Sequence, residues 1–207
     1  MECPRFRVDL SKVGKQPLVD WLTPEEPSRL LYNPVAGGQI AQTKRVVFDV
    51  LSRASVPIGA GKDPDQFLYV AGWGPDGKEL WFYRMTRDFR RLDLMAADPL
   101  TGSSRVVLTE TSKTFINGYE GGWDAEPGSA VWVARTFTPL WDRRQFLWLS
   151  EQDGWRHIYL RGGDGTLVRR LTSGSFPVHR IVAVDSKAGW VYFTASDDPK
   201  IERRPRR

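Results

Sequence analysis

The sequence predicts an all-β fold, namely a partial β-propeller of four-stranded antiparallel blades, with about two full and two partial blades. The composition favours strands, because the 207 residues include 9 Trp, 10 Phe and 6 Tyr, and aromatic residues are enriched in sheets. Short apolar runs are separated by Gly, Pro and Asp-Gly sequences, which suit the tight turns of hairpins. Similar strand–turn–strand units also recur along the chain, which is typical of a propeller.

The repeat is clearest when residues 80–94 are aligned with residues 146–160. Each segment reads as an apolar strand, a polar turn and a second apolar strand, and Phe89 falls on Trp155. Each segment also has one strand in front of it and one behind it. These flanking strands are predicted at residues 67–73 and 105–108 in the first unit, and at 131–137 and 167–171 in the second.

Two incomplete units flank the two full ones. Their strands are predicted at residues 45–50 and 54–58 in the earlier unit, and at 180–184 and 190–195 in the later one. A closed propeller needs about four to eight blades. We therefore expect this chain to be part of a larger protein.

The pattern divides the chain into three regions. Residues 1–44 are weakly patterned and are compatible with a partial blade, residues 45–198 form the blades, and residues 199–207 are expected to be a basic disordered tail. The formal net charge is +5, but four Arg residues within the last five positions supply most of it. Because terminal charge runs are usually solvated, we expect no nucleic-acid partner. Binding of nucleic acid through this tail remains an alternative.

Several kinds of site are not expected. Cys3 is the only cysteine, so no internal disulfide can form. His157 and His179 are distant in sequence and have no second cysteine, which argues against a metal site. The glycine motifs that bind phosphate are absent, and no cofactor is expected. No run of about 18 apolar residues occurs, so no transmembrane helix is predicted.

No catalytic residue is predicted in this chain. A nucleophile elbow requires the pattern Gly-x-Ser-x-Gly, which does not occur. The nearest serines, at residues 103–104 and 173–175, are interpreted as turn residues. A general base needs a nucleophile and an orienting acid nearby, and nothing in the sequence supplies them for His157 or His179. Both histidines are therefore interpreted as structural and hydrogen-bonded.

Four segments together resemble a known family. They are WGPDGKEL at residues 73–80, FLWLSEQDGWRHIYL at 146–160, LTSG at 171–174 and GWVYFTAS at 189–196. Residues 45–198 as a whole are similar to the N-terminal β-propeller domain of the dipeptidyl peptidase IV family, which are serine peptidases of the prolyl-oligopeptidase type.

The resemblance implies that substrate access and catalysis belong to different domains. In that family an eight-bladed propeller covers a C-terminal α/β-hydrolase domain that carries the Ser-Asp-His triad. This chain would then be a non-catalytic segment that gates and orients peptide substrates for a hydrolase domain absent from it. The resemblance also implies an exported, periplasmic or membrane-associated protein, and it admits a homodimer at full length. The alternative is a stand-alone propeller scaffold that binds protein partners.

The resemblance also raises one weak candidate for substrate binding. The family uses paired glutamates to hold the free amino terminus of its substrate, and Glu25 and Glu26 are an adjacent pair here. They lie in TPEEP at residues 23–27, without the aromatic context of the family motif. The same residues read equally well as a turn or a helix start. No other substrate-binding residue is assigned.

Overall fold

The computed structural model describes the strands and turns of residues 44–116, 136–141 and 144–196. It also describes Gly38 and the backbone of the strands at residues 15–18, 29–32 and 203–206. The described residues contain strands, turns and bends but no helix, and accordingly no helix that could cross a membrane.

The strands are short, as the sequence predicts. In chain order they are β1 (Lys15–Leu18), β2 (Arg29–Tyr32), β3 (Arg45–Phe48), β4 (Ser55–Ile58), β5 (Gln66–Trp73), β6 (Leu80–Thr86), β7 (Arg91–Ala97), β8 (Ser104–Thr111), β9 (Phe137–Leu140), β10 (Gln145–Ser150), β11 (His157–Gly162), β12 (Leu167–Arg170), β13 (Val178–Asp185), β14 (Trp190–Ser196) and β15 (Arg203–Arg206).

The sheets follow the chain without crossovers. Strands β5 to β8 form one four-stranded antiparallel sheet, and β9 to β12 form a second. Before them lies the two-stranded sheet β3–β4, and after them the three-stranded sheet β13–β15. This arrangement confirms two full and two partial blades. A further hairpin, β1–β2, lies in the weakly patterned N-terminal region.

Two strands differ from the expectation. The first strand of the second full blade is β9 (Phe137–Leu140), later than the predicted 131–137, and residues 131–135 lie outside the described residues. Strand β9 contains Pro139, which is tolerated because β9 is at the edge of its sheet and pairs only with β10.

Within residues 199–207, which the sequence leads us to expect as a basic disordered tail, Arg203–Arg206 form a strand. These residues form β15 and pair antiparallel with residues 193–196 of β14. The physical reason is that the outer edge of β14 offers unpaired N–H and C=O groups, and an extended chain can satisfy them whatever its charge. Pro205 has no N–H to donate, but β15 is the last strand of its sheet, where proline is tolerated.

Aromatic side chains join the two full blades. Trp81 and Tyr83 of β6 pack against Phe146 and Trp148 of β10, and all four are 1% exposed or less. The Trp81 and Phe146 rings meet edge to face, with centroids 5.3 Å apart, an arrangement that adds about 0.5–1.5 kcal/mol beyond area burial. The Tyr83 hydroxyl accepts a hydrogen bond from the backbone N–H of Phe137 at 3.1 Å, so the contact also ties β9 to the first blade.

The full blades are apolar on both faces. In β6, Trp81 and Tyr83 face the second full blade, whereas Phe82 belongs to the cluster shared with Ile58 of β4. In β10, Leu147 faces the partial blade β13–β15 through a cluster that includes Val178, Phe193 and Ala195. Because both faces are covered, the strands read as continuous apolar runs rather than as alternating patterns.

One glycine in the third hairpin of each full blade sets the distance to the preceding blade. Gly102 (φ +74) and Gly165 (φ +89) adopt backbone angles that disfavour other residues. A Cβ on Gly102 would overlap the carbonyl oxygen of Pro57, and one on Gly165 would overlap that of Val107. Pro57 and Val107 both lie on the last strand of the preceding blade, so the two hairpins dock in the same way.

Replacing either docking glycine by alanine should destabilise the fold more than a glycine replacement at a free turn. Gly77 (φ +71) is the matched control, because a Cβ there meets no atom. We expect Gly77→Ala to cost about 1 kcal/mol from the backbone angle alone. Gly102→Ala and Gly165→Ala should cost about 1–3 kcal/mol more from overpacking. Urea unfolding measures all three, and equal costs would show that the docking contact is unimportant.

Candidate functional site: a polar cleft between the two full blades

A cleft of about 320 Å³ opens at one end of the contact between the two full blades. One wall is the end of β8 with the segment that follows it, residues 112–116, and the other is the β10–β11 turn, residues 151–156. The buried part of the lining includes the apolar Leu92, Ile116 and Leu149 together with the polar Thr136, Ser150 and Arg156, and the exposed part includes Lys113, Glu151 and Gln152.

The first wall is held in place by the β6–β7 turn. Phe89 in this turn has a positive φ of 58°, which costs a residue other than glycine about 1–2 kcal/mol. In this conformation its carbonyl accepts the N–H of Ile116 at 2.6 Å, and the carbonyl of Arg90 accepts the N–H of Ser112 at 2.9 Å. The Phe89 ring packs on Phe67 with centroids 5.5 Å apart, which compensates part of the strain.

The second wall is a turn shaped by its own polar groups. The Ser150 hydroxyl accepts the N–H of Gln152 at 3.1 Å, and Gly154 (φ +92) donates its N–H to the carbonyl of Glu151 at 2.9 Å. Arg156, at the end of the turn, is 7% exposed and donates from Nη1 to the carbonyl of His179 at 3.3 Å. The wall therefore rests on the neighbouring partial blade.

Glu110 connects the two walls. It is on β8, and its carboxylate accepts hydrogen bonds from Trp148 Nε1 at 2.7 Å and from Ser150 Oγ at 2.9 Å, both on β10. Burial raises the pKa of the Glu110 carboxyl, and these donors together with the charge of Arg161 offset this only in part. Burial also raises the pKa of Glu151, and the charge of Glu110 adds to that rise.

The cleft therefore combines apolar walls with charges of both signs. Glu110 and Glu151 supply negative charge, and Lys113 and Arg156 supply positive charge. Such a lining can hold a polar chain segment with its own donors, acceptors and charged ends. Within the described residues, no group of three or more His, Cys, Asp or Glu side chains could hold a metal ion.

His157 lies outside the cleft lining and is fully buried. Its Nδ1 is 3.0 Å from Thr172 Oγ1, and its Nε2 is 3.1 Å from the carbonyl of Gly174. A carbonyl can only accept, so Nε2 carries the hydrogen and Nδ1 accepts from the Thr172 hydroxyl. Thr172 in turn accepts the N–H of Ile158 at 3.0 Å. Both ring nitrogens of His157 are therefore engaged in hydrogen bonds within the protein, as the interpretation of His157 as a structural histidine requires.

His179 forms the other polar pair that could suggest catalysis. Its Nε2 is 2.6 Å from Ser196 Oγ, across strands β13 and β14. Neither residue lines the cleft, and Ser196 lies in a regular strand rather than at the strained turn that exposes a nucleophile. We interpret this contact as a cross-strand hydrogen bond.

The candidate residues from the sequence are only partly placed. Glu25 and Glu26 lie outside the described residues, so the substrate-anchor hypothesis stays a prediction. Glu110 was not singled out from the sequence. The sequence does contain a pattern that could have identified Glu110. Leu108 packs on the core between the full blades, and Glu110 follows it by two positions. Because side chains in a strand alternate with a period of two, Glu110 faces the same side as Leu108.

Comparison with known proteins shows the family of this chain. A family model described as the dipeptidyl peptidase IV (DPP IV) N-terminal region matches residues 5–204. The chain belongs to this family. The match extends the DPP IV N-terminal region beyond residues 45–198, which carry the resemblance in the sequence.

Individual relatives agree with the DPP IV assignment. The dipeptidyl peptidase 4 of Trichophyton rubrum is 24% identical over 161 residues, which are 75% of this chain and 20% of that protein. The dipeptidyl peptidase 4 of Arthroderma otae is 23% identical over 161 residues, again 75% and 20%. This DPP IV-type chain thus spans about a fifth of the length of these curated relatives.

A solved structure shows the same fold. The crystal structure of Porphyromonas gingivalis dipeptidyl peptidase 4 superposes with a TM-score of 0.73 at 21% identity, covering 94% of this chain and 26% of that one. The DPP IV N-terminal fold therefore accounts for almost the whole chain.

The role of His157 in this DPP IV-type fold predicts a pH dependence. Burial lowers the pKa of His157 from its usual value of 6.5, because removal from water disfavours the charged imidazolium. The stability that neutral His157 provides is therefore fully present above pH 6.5 and is lost as the pH falls through the lowered pKa. We expect His157→Gln to flatten this acid-side loss in urea unfolding between pH 7 and 5. An unchanged slope would contradict the assignment.

Proposed function

We propose that this chain is a non-catalytic propeller segment of a dipeptidyl peptidase-like serine peptidase, where it gates and orients peptide substrates for an α/β-hydrolase domain. The observation that carries the proposal is the family match over residues 5–204, in a chain that spans only about 20% of its curated relatives. Those relatives are named dipeptidyl peptidases.

The described contacts support a binding role rather than a chemical one. The Ser150 hydroxyl donates to Glu110, and both His157 nitrogens are held by Thr172 and Gly174. The Ser150 hydroxyl and the His157 ring are therefore already engaged in hydrogen bonds that stabilise the blades. The cleft between the full blades offers a peptide both apolar contact and charges of either sign, which suits a segment that guides a substrate toward a reaction centre elsewhere.

The chain itself should not hydrolyse peptides. We expect the purified 207-residue chain to release no chromophore from dipeptide-linked chromogenic substrates. The intact protein encoded by the full reading frame should release it, and an active-site serine inhibitor should block that release. Turnover by this chain that survives the inhibitor would contradict the proposal, and so would an intact protein that has no hydrolase domain. The latter result would favour the stand-alone scaffold.

The contribution of the cleft can be separated from that of the hydrolase. Lys113 lines the cleft, whereas Lys187 is an exposed lysine in the β13–β14 turn. In the intact protein we expect Lys113→Ala to change KM for charged peptide substrates with little change in kcat, because only substrate positioning is altered. Lys187→Ala should leave both constants unchanged. If Lys113→Ala also leaves KM unchanged, substrates do not pass this cleft.

A further inference from the structure

Glu110 differs from the buried carboxylate Asp93 in its hydrogen-bond donors. Its hydrogen-bond donors, Trp148 and Ser150, belong to the neighbouring blade and are neutral. The backbone N–H of Glu151, on the same turn, also stabilises the ionised carboxylate. Every one of these contacts crosses from the first full blade to the second, so the state of a single carboxyl group affects the junction of the two sheets.

Asp93 of β7 shows the contrasting case within the same sheet. It is 2% exposed and forms ion pairs with Arg84 at 2.7 Å and Arg91 at 3.1 Å, and it accepts from Thr109 Oγ1 at 2.7 Å. Burial alone would raise the pKa of Asp93, but these donors hold it below its usual value. Asp93 is therefore a permanent ion, and all its partners belong to its own blade.

No cation forms an ion pair with Glu110 among the residues that the structure describes. The positive charge that lowers the Glu110 pKa is that of Arg161 on β11. The Nη1 of Arg161 donates to the carbonyl of Gly165 at 2.9 Å, and its Nη2 donates to Gln152 Oε1 at 3.3 Å. From the turn, Glu151 adds a negative charge. The other charged groups of the cleft are Lys113 and Arg156, and on β7 the uncharged Leu92 lies opposite Glu110.

These surroundings favour the uncharged carboxyl group more than water does. A protonated carboxyl keeps acceptor capacity for the Trp148 and Ser150 donors, and it removes the cost of burying an unpaired charge. Because the pKa of Glu110 is raised above its usual 4.5 in the folded protein, the stabilisation from protonation is fully present below about pH 4.5. It is lost as the pH rises through the raised value.

We propose that Glu110 is a proton-dependent latch between the two full blades, so that the junction beside the cleft is held together in mildly acidic solution and loosens as the pH rises. The proton comes from solvent and binds one carboxylate oxygen, and no other bond is made or broken. Any effect of this latch on substrate access rests on the proposed function. The latch itself depends only on contacts between the two full blades.

Local hydrogen exchange on the 207-residue chain tests the proposal. Because neutral His157 is expected to make stability fall toward acidic pH, the comparison is made in a His157→Gln background. There we expect the amides of β8 and β10, after correction for the intrinsic chemical rate, to exchange at least about twofold more slowly at pH 5 than at pH 8. Adding Glu110→Gln, which cannot ionise, should remove most of that difference. Glu79→Gln is the matched control, because Glu79 also accepts from an indole, that of Trp81 at 3.4 Å, but is paired with Arg105 at 2.7 Å. This control should keep the pH dependence of the His157→Gln background.

A second measurement covers the case in which Glu110→Gln does not fold. In the wild-type chain labelled with ¹⁵N at the indoles, the Trp148 N–H resonance, identified by its absence in Trp148→Phe, should titrate with a midpoint above 4.5, the ordinary value for glutamate. A pH-independent Trp148 resonance would overturn the latch, and so would equal protection at pH 5 and pH 8 in the His157→Gln background. Neither readout uses a peptide or an enzymatic reaction, so failure here leaves the proposed function standing.

Discussion

Stacking of sheets that are apolar on both faces is the constraint on which the rest of this structure depends. A sheet with one apolar face can be solvated on the other, but β6 and β10 carry large buried side chains on both. Such a sheet is stable only between two neighbours. The clusters that include Phe82, Trp81 and Leu147 are successive layers of this stack. The stacking also explains why the polar groups gather at the ends of the blades, where strands give way to turns.

The same constraint explains the two docking glycines. Once aromatic side chains fix the spacing of two sheets, the hairpin of one blade must approach the last strand of the previous blade at backbone distance. Gly102 and Gly165 allow that approach because they lack a Cβ. The Gly165 hairpin joins the two full blades at backbone distance on Val107, whereas Glu110 and Trp148 join them through a side-chain hydrogen bond.

Much of the fold could be predicted because its signals are local. Runs such as residues 80–83 and Asp-Gly turns report on strands within a few residues, and the blade count follows from them. β15 could not be predicted from its arginine-rich sequence. It pairs with β14 through backbone hydrogen bonds at the open edge of the sheet, and not through its own side chains. The start of β9 is likewise set by pairing with β10, which its sequence does not encode.

The cleft was harder to predict than the blades, because it depends on which residues meet across two sheets. Glu110 in isolation reads as a polar residue near the end of a strand. Its significance comes from Trp148 and Ser150, about forty positions later. Among the described residues, Glu110 also has no paired cation such as Arg84 provides for Asp93. Two carboxylates on adjacent strands of one sheet thus behave oppositely: one is fixed as an ion within its blade, and the other is left sensitive to protons where blades meet. A propeller can remain rigid within each blade and still respond at the junctions, because the ion pairs lie inside a sheet and the titratable contact lies between sheets.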